Sequence, residues 1–213
     1  MGARTGLLMY SDGCPIQHLK SGLVLDRNAT AILVQNLFPT EKLSPIDDTD
    51  LLDSCPPDNQ IVIGCFPNLT IVASKEVGLD YPSRLQQRFV QHGADRTMYL
   101  HAMHSVVDWF AFAIWERGQL KRSLSLSSGS GILEDIGKPL NFEKPYWEDQ
   151  FPMHDPVVRD DHQFDFHPLD LGQSALLDLF GYQTEGKADA SKLDPENISL
   201  MRFERSKPFW KIW

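Results

Sequence analysis

Residues 109–126 read WFAFAIWERGQLKRSLSL, and this stretch decides the fold. Its first half, 109–115, is apolar at every position. A strand without a polar side is buried on both faces, which puts it inside a sheet rather than at its rim. Its second half, 120–126, alternates leucine with polar residues, as a strand at or near an edge does. Glu116-Arg117-Gly118-Gln119 joins them as a tight hairpin. Simple pairing across Arg117-Gly118 sets Trp115 against Leu120, Ala113 against Arg122, Ala111 against Leu124 and Trp109 against Leu126. Trp109, Trp115 and Arg122 then share one face, with Phe110, Phe112 and Ile114 on the other.

Working upstream, 97–103 (TMYLHAM) is a further strand, preceded by a helix over 84–92 that Gly93 stops. The β-branched runs 61–66 and 69–74 flank Pro67-Asn68 and form a hairpin. Asp26-Arg27-Asn28 caps a helix running to Phe38, and 5–10 is a strand closed by Ser11-Asp12-Gly13. The order strand, helix, strand, strand, helix, strand is that of a ferredoxin-like βαββαβ core. The fold class is therefore α+β: an antiparallel or mixed sheet, helices mainly on one face, extended by the 109–126 hairpin. Residues 40–60 are acidic and broken by prolines, and read as a loop. Downstream come a turn (127–131, SSGSG), a short strand (132–137) and a long surface loop (143–170). A helix (172–181), a polar stretch (183–197) and a last strand (198–203) follow. Residues 1–205 form one domain, and 206–213 (SKPFWKIW) an aromatic tail.

The chain has 213 residues, enough for one core of ordinary size. Twenty Lys plus Arg against twenty-nine Asp plus Glu leaves a net charge of −9. That charge repels a phosphate backbone, and no compensating basic patch is present, so nucleic acid is not an expected partner. Three scattered cysteines suit a reducing compartment. With no signal-like run, no myristoylation pattern and no membrane-length apolar stretch, a cytoplasmic location is expected.

Two clusters carry chemistry that could hold a metal. HAMHSVVDW brings His101, His104 and Asp108 within eight residues. Residues three apart on a strand face opposite sides, however, so His101 and His104 converge only if the strand bends. The Glu and helix of an H-E-x-x-H site are also missing. MHDPVVRDDHQFDFHP adds His154, His162 and His167, but at no spacing of a named metal motif, and a solvated acidic loop is the commoner explanation. Arg122 among aromatics suits either a bound anion or a stack on Trp115. The tail aromatics Phe209, Trp210 and Trp213 should pack on the domain, dock on a partner or touch a membrane surface, for which Lys207 and Lys211 are weak support. No phosphate-cradling loop or nucleophile elbow is present. No cofactor is predicted, though a divalent metal stays open.

The segments MGARTGLLMYSDG, IVIGCFPN, LHAMHSVVDWFAFAIWERGQLKRSLSLS, ILEDIGKPLNFEKPYW and FHPLDLGQSALLDLFGY together resemble a family of uncharacterised bacterial proteins, frequent in actinobacteria. Its members share a start like MGA(K/R)T, the HAMHSVVDW core and an FHPLxLGxxAL helix. The resemblance covers about residues 1–185 and leaves the tail outside. It implies one compact domain and transfers no catalytic residues. The expected function is a non-enzymatic binding or protein-interaction module. Its expected contacts are Trp109, Trp115 and Arg122 with the tail aromatics, with a protein partner or a second copy as occupant. The alternative is a metal-dependent hydrolase using His101, His104 and Asp108.

Overall fold

In the computed structural model, which describes residues 2–152, 163–185 and 192–206, strand β1 (Arg4–Ser11) is buried from Thr5 onward. Its alternate residues Leu7 and Met9 enter one core, Leu8 and Tyr10 another. Such a strand needs a neighbour on each edge and a layer over each face. The edges are taken antiparallel by β5 (Leu69–Ala73) and β6 (Thr97–His104). Beyond β6 the sheet continues by hairpins through β7 (Trp109–Glu116), β8 (Gln119–Ser127) and β9 (Gly131–Gly137). Beyond β5 lie β4 (Gln60–Phe66) and then β10 (Ser199–Arg205), the latter edged by β2 (Leu43–Pro45) and β3 (Thr49–Asp50). Every pairing among these ten strands is antiparallel, in the order β2-β10-β4-β5-β1-β6-β7-β8-β9 with β3 also on β10.

Helices cover both faces, which corrects the expectation of one. Helix α2 (Arg27–Leu37) and the short α3 (Gln87–His92) supply Leu33, Val34, Leu37 and Phe89 to the core that holds Leu8 and Tyr10. Helices α1 (Pro15–Leu19), α4 (Lys144–Trp147) and α5 (Pro168–Phe180) supply Leu19, Tyr146, Leu171, Ala175, Leu176 and Phe180 to the other. The physical reason is the two-sided apolarity of the central strands, which leaves no face for water. Asp26 caps α2 by accepting from the Ala29 N–H at 2.9 Å, as its sequence suggests. Helix α5 starts four residues before the expected 172, because His167 caps it and Pro168 fits the first turn. The 40–60 loop contributes the two short strands at the β10 edge, and β9 rather than β8 is the outer strand of that flank.

The register of the central hairpin also departs from simple pairing. Arg117 and Gly118 take positive φ angles of 49° and 74°. A two-residue hairpin turn requires that conformation. Trp115 meets Leu120, but a bulge then sets Ile114 against Arg122, Phe112 against Leu124 and Phe110 against Leu126. One extra residue moves every later side chain to the opposite face. Leu124 and Leu126 thereby join Phe110 and Phe112 in a core, while Ser123, Ser125 and Ser127 go to the side of Trp109. Arg122 leaves the face of Trp109 and Trp115.

Its new surroundings explain why a guanidinium can sit there at 2% exposure. Arg122 donates from Nε (3.0 Å) and Nη2 (2.5 Å) to the two carboxylate oxygens of Glu143, itself fully buried. Nη1 donates to the carbonyls of Ser123 and Ile136 and to Asp135, which is half-exposed. Glu143 also accepts from the Leu140 N–H at 2.6 Å. The pair thus clips the chain entering α4 onto β8. Removing one member strands a buried charge, so Glu143→Ala should lower the urea-measured unfolding free energy by about 3–5 kcal/mol. Asp135→Asn, at an exposed partner, should cost about 0–1 kcal/mol. Equal costs would mean that burial is not what gives the pair its strength.

Candidate functional site

The strands β6 and β7 meet in a tight connection, HSVVD, whose Asp108 takes a positive φ of 43°. His104 and Trp109 are cross-strand neighbours at its base. Trp109 is half-buried, and its Nε1–H donates to Ser125 Oγ at 3.1 Å, which fixes the indole plane against β8. His104 Nδ1 accepts from the Val106 N–H at 3.3 Å. With Nδ1 thus occupied as an acceptor, the neutral ring carries its proton on Nε2.

These two side chains form one wall of a cavity of about 470 Å³ at this end of the sheet. Met103, Val107 and Leu133 extend the apolar wall, and Ser127 and Ser130 bring hydroxyls from the end of β8 and the turn after it. The opposite wall comes from the loop before β4 and the turn after β5, through Pro56, Asp58, Lys75 and Asp80. Neither α2 nor α3 contributes a lining residue. Asp58, Lys75 and Asp80 are exposed and have no ion-pair partner among the described residues. An apolar recess with a few convergent charges is the usual form of a ligand site. Cys55 stands at the same rim, but burial pushes its thiol upward, away from the thiolate a nucleophile needs.

The residues expected to act together are divided by the sheet. His101 lies on the far face from His104, fully buried between β6 and α5. Its Nε2–H donates to the Gly172 carbonyl at 2.9 Å, so its Nδ1 accepts the Thr5 hydroxyl at 2.8 Å. Both nitrogens are spent, and burial lowers its pKa to about 4, the Gly172 contact pulling weakly the other way. Gly172 is needed for that contact: a Cβ there would stand 3.1 Å from Phe110 Cδ2 and 3.2 Å from Met103 Sδ. His101 is thus a pin between helix and sheet, and the grouping of His101, His104 and Asp108 into one hydrolytic centre does not form. Asp108 instead meets His167 Nε2 at 3.5 Å, while His167 Nδ1 caps α5 on the Leu169 N–H. His154 and His162 lie outside the described residues, as do Phe209, Trp210 and Trp213. Among the described residues no three His, Cys, Asp or Glu side chains gather as metal ligands.

Of the expected contact surface, Trp109 alone among the described residues faces the cavity. Trp115 is 4% exposed in the core beneath α2 and α3, and Arg122 is held by Glu143. Asp58, Lys75 and Asp80 were not legible as site residues, because they sit in turns with no motif and only the strand order brings them to Trp109.

Fold and site define the class first: an α+β protein on one antiparallel sheet, with an open pocket of mixed polarity at one end. The chain belongs to a family of unknown function, DUF6928, whose model matches residues 5–203. That match runs through most of β10 and stops short of the aromatic tail. No curated protein and no solved structure matches the chain. No helix among the described residues is long and apolar enough to cross a membrane.

The state of His101 gives a pH dependence with a definite sign. Its folded pKa near 4 lies below the ordinary 6.5, so the unfolded chain takes the proton first as pH falls. The stability is fully present above pH 6.5 and is lost progressively towards pH 4, by up to roughly 3 kcal/mol from this group. His101→Gln should flatten that part of the unfolding free-energy profile. An NMR titration showing the His101 ring protonated at pH 6 would contradict the burial argument.

Proposed function

We propose that this chain is a non-enzymatic binding module whose end-of-sheet pocket takes an extended peptide segment carrying a bulky aromatic side chain beside basic residues. The observation that carries the reading is the pairing of Trp109, immobilised by Ser125 on the apolar wall, with Asp58 and Asp80 across the cavity, both without an ion-pair partner among the described residues. A fixed indole offers flat apolar area at little entropic cost, and tryptophans are frequent anchors of binding energy. The two carboxylates outnumber Lys75 and favour a cationic neighbour to that aromatic group.

Two coarser features fit the same reading. The run β4-β5-β1-β6 with α2 and α3 on one face has the strand order and helix placement of a split βαβ unit, which supports a ferredoxin-like centre. Cys14, Cys55 and Cys65 are all free thiols, which suits a reducing, cytoplasmic setting.

The test uses N-acetyl-tryptophanyl-lysinamide as probe and the full chain with Phe209, Trp210 and Trp213 changed to alanine. That background leaves three indoles, Trp109, Trp115 and Trp147, so the indole N–H signals can be assigned. Adding the probe should shift the Trp109 indole and the Val107 and His104 amides, with Trp115 unmoved. Trp109→Ala should weaken binding at least about tenfold, and Asp58→Asn with Asp80→Asn should remove its salt dependence. Shifts spread over the surface, or binding indifferent to Trp109→Ala, would refute the pocket as the binding site.

A further inference from the structure

The aromatic tail is absorbed by none of the structure described so far, yet its point of departure is well defined. β10 ends at Arg205, which donates to the carbonyl of Asp58, to both carboxylate oxygens of Glu76 at 2.8 Å, and to Glu41. The Arg205 N–H bonds the Asn59 carbonyl at 2.7 Å, and the Ser206 N–H the Lys42 carbonyl at 2.9 Å. Asp58 and the turn at Lys75–Val77 are therefore both the clamp on the departing chain and the near rim of the pocket. Ser206 thus stands at the end of the sheet where the pocket opens.

Reach and chemistry both fit. Five strand spacings separate β10 from β7. At the usual spacing between neighbouring strands that is about 24 Å. Seven fully extended residues, the length of 207–213, span at most about 25 Å. A segment laid across the strand ends would therefore carry Phe209 and Trp210 over β5 and β1 and bring Trp213 up to Trp109. The segment reads KPFWKIW, four bulky apolar residues with Lys207 and Lys211 among them. The far side of the pocket is apolar and its near rim bears Asp58 and Asp80. Pro208 restricts the free chain at the entry and lowers the entropy lost on docking.

We infer that residues 207–213 occupy this pocket in cis, as a built-in ligand that an outside peptide of the same chemistry must displace. The inference rests on the pocket being a peptide site, as proposed above, and adds the identity of its resting occupant. A tethered ligand competes at an effective concentration of order millimolar. A free peptide that binds the vacant pocket with a Kd of roughly 10–100 μM then binds the intact chain about 10- to 100-fold more weakly.

The experiment titrates a synthetic peptide of sequence SKPFWKIW into two full chains by calorimetry. One is wild type, and the other carries Phe209→Ala, Trp210→Ala and Trp213→Ala. The expected result is one-to-one binding to the substituted chain, lost on adding Trp109→Ala, and at least about tenfold weaker binding to wild type. In the wild type a carbodiimide should also join a tail lysine to Asp58 or Asp80 within monomers. Equal affinity for both chains would overturn cis occupancy while leaving the pocket as a peptide site. No binding to the substituted chain would overturn the inference too, and the dipeptide probe then decides whether the pocket binds peptides at all. A wild-type dimer at micromolar concentration, cross-linked between chains and abolished by the three substitutions, would overturn it in favour of a second copy as donor.

Discussion

Burial of β1, β6 and β7 on both faces is the constraint from which the rest of the architecture follows. A strand with water on one side needs a single cover; these three have apolar residues at successive positions, so each face requires its own layer. The chain meets the demand by sending α2 and α3 to one side and α1, α4 and α5 to the other. Polar groups that lie within such a sheet have to be satisfied inside it. His101 does so between Thr5 and Gly172, and Arg122 between Glu143 and three backbone or side-chain acceptors of β8 and β9. Both are joints between layers, and both are made from residue types that, in a sequence, look like chemistry.

The bulge next to Trp115 shows how a local irregularity allocates function. Without it, Leu124 and Leu126 would face the Trp109 side and the serines would enter the aromatic core, leaving hydroxyls unpaired among Phe110, Phe112 and Leu176. With it, the leucines complete the core and Ser125 is in place to hold the Trp109 indole. The same slip carries Arg122 to Glu143. The pocket therefore keeps Trp109 held on its apolar wall, and Arg122 is not among its described lining residues.

Much of the fold was legible because periodicity reports burial. The apolar 109–115 run, the Pro67-Asn68 and Arg117-Gly118 turns, the Asp26 cap and the strands at 5–10, 61–74 and 97–103 all correspond to observed elements. What was not legible depended on contacts distant in sequence. The bulge goes with the contact of Arg122 and Glu143, 21 residues apart, and the second helical layer with strands whose two faces look alike. The separation of His101 from His104 was visible in strand parity, which already told against a shared metal. Pairing of Asp108 with His167, and the placing of Trp109, Asp58 and Asp80 around one pocket, needed the strand order, which brings residues far apart in the chain to one rim.

The position of the pocket follows from the same layering. Helices α2 and α3 end their cover before the strand termini, so the wall there is built from turns, and turns supply exposed Asp58, Lys75 and Asp80 where a helix would supply leucines. The apolar wall beside this charged rim, as the described residues form it, is surface that a bound side chain would take out of water. An aromatic segment tethered at that rim by Arg205 would cover the wall when nothing else does. The proposed docking of the tail would give the two compositions one cause, apolar surface with opposite charge at its margin.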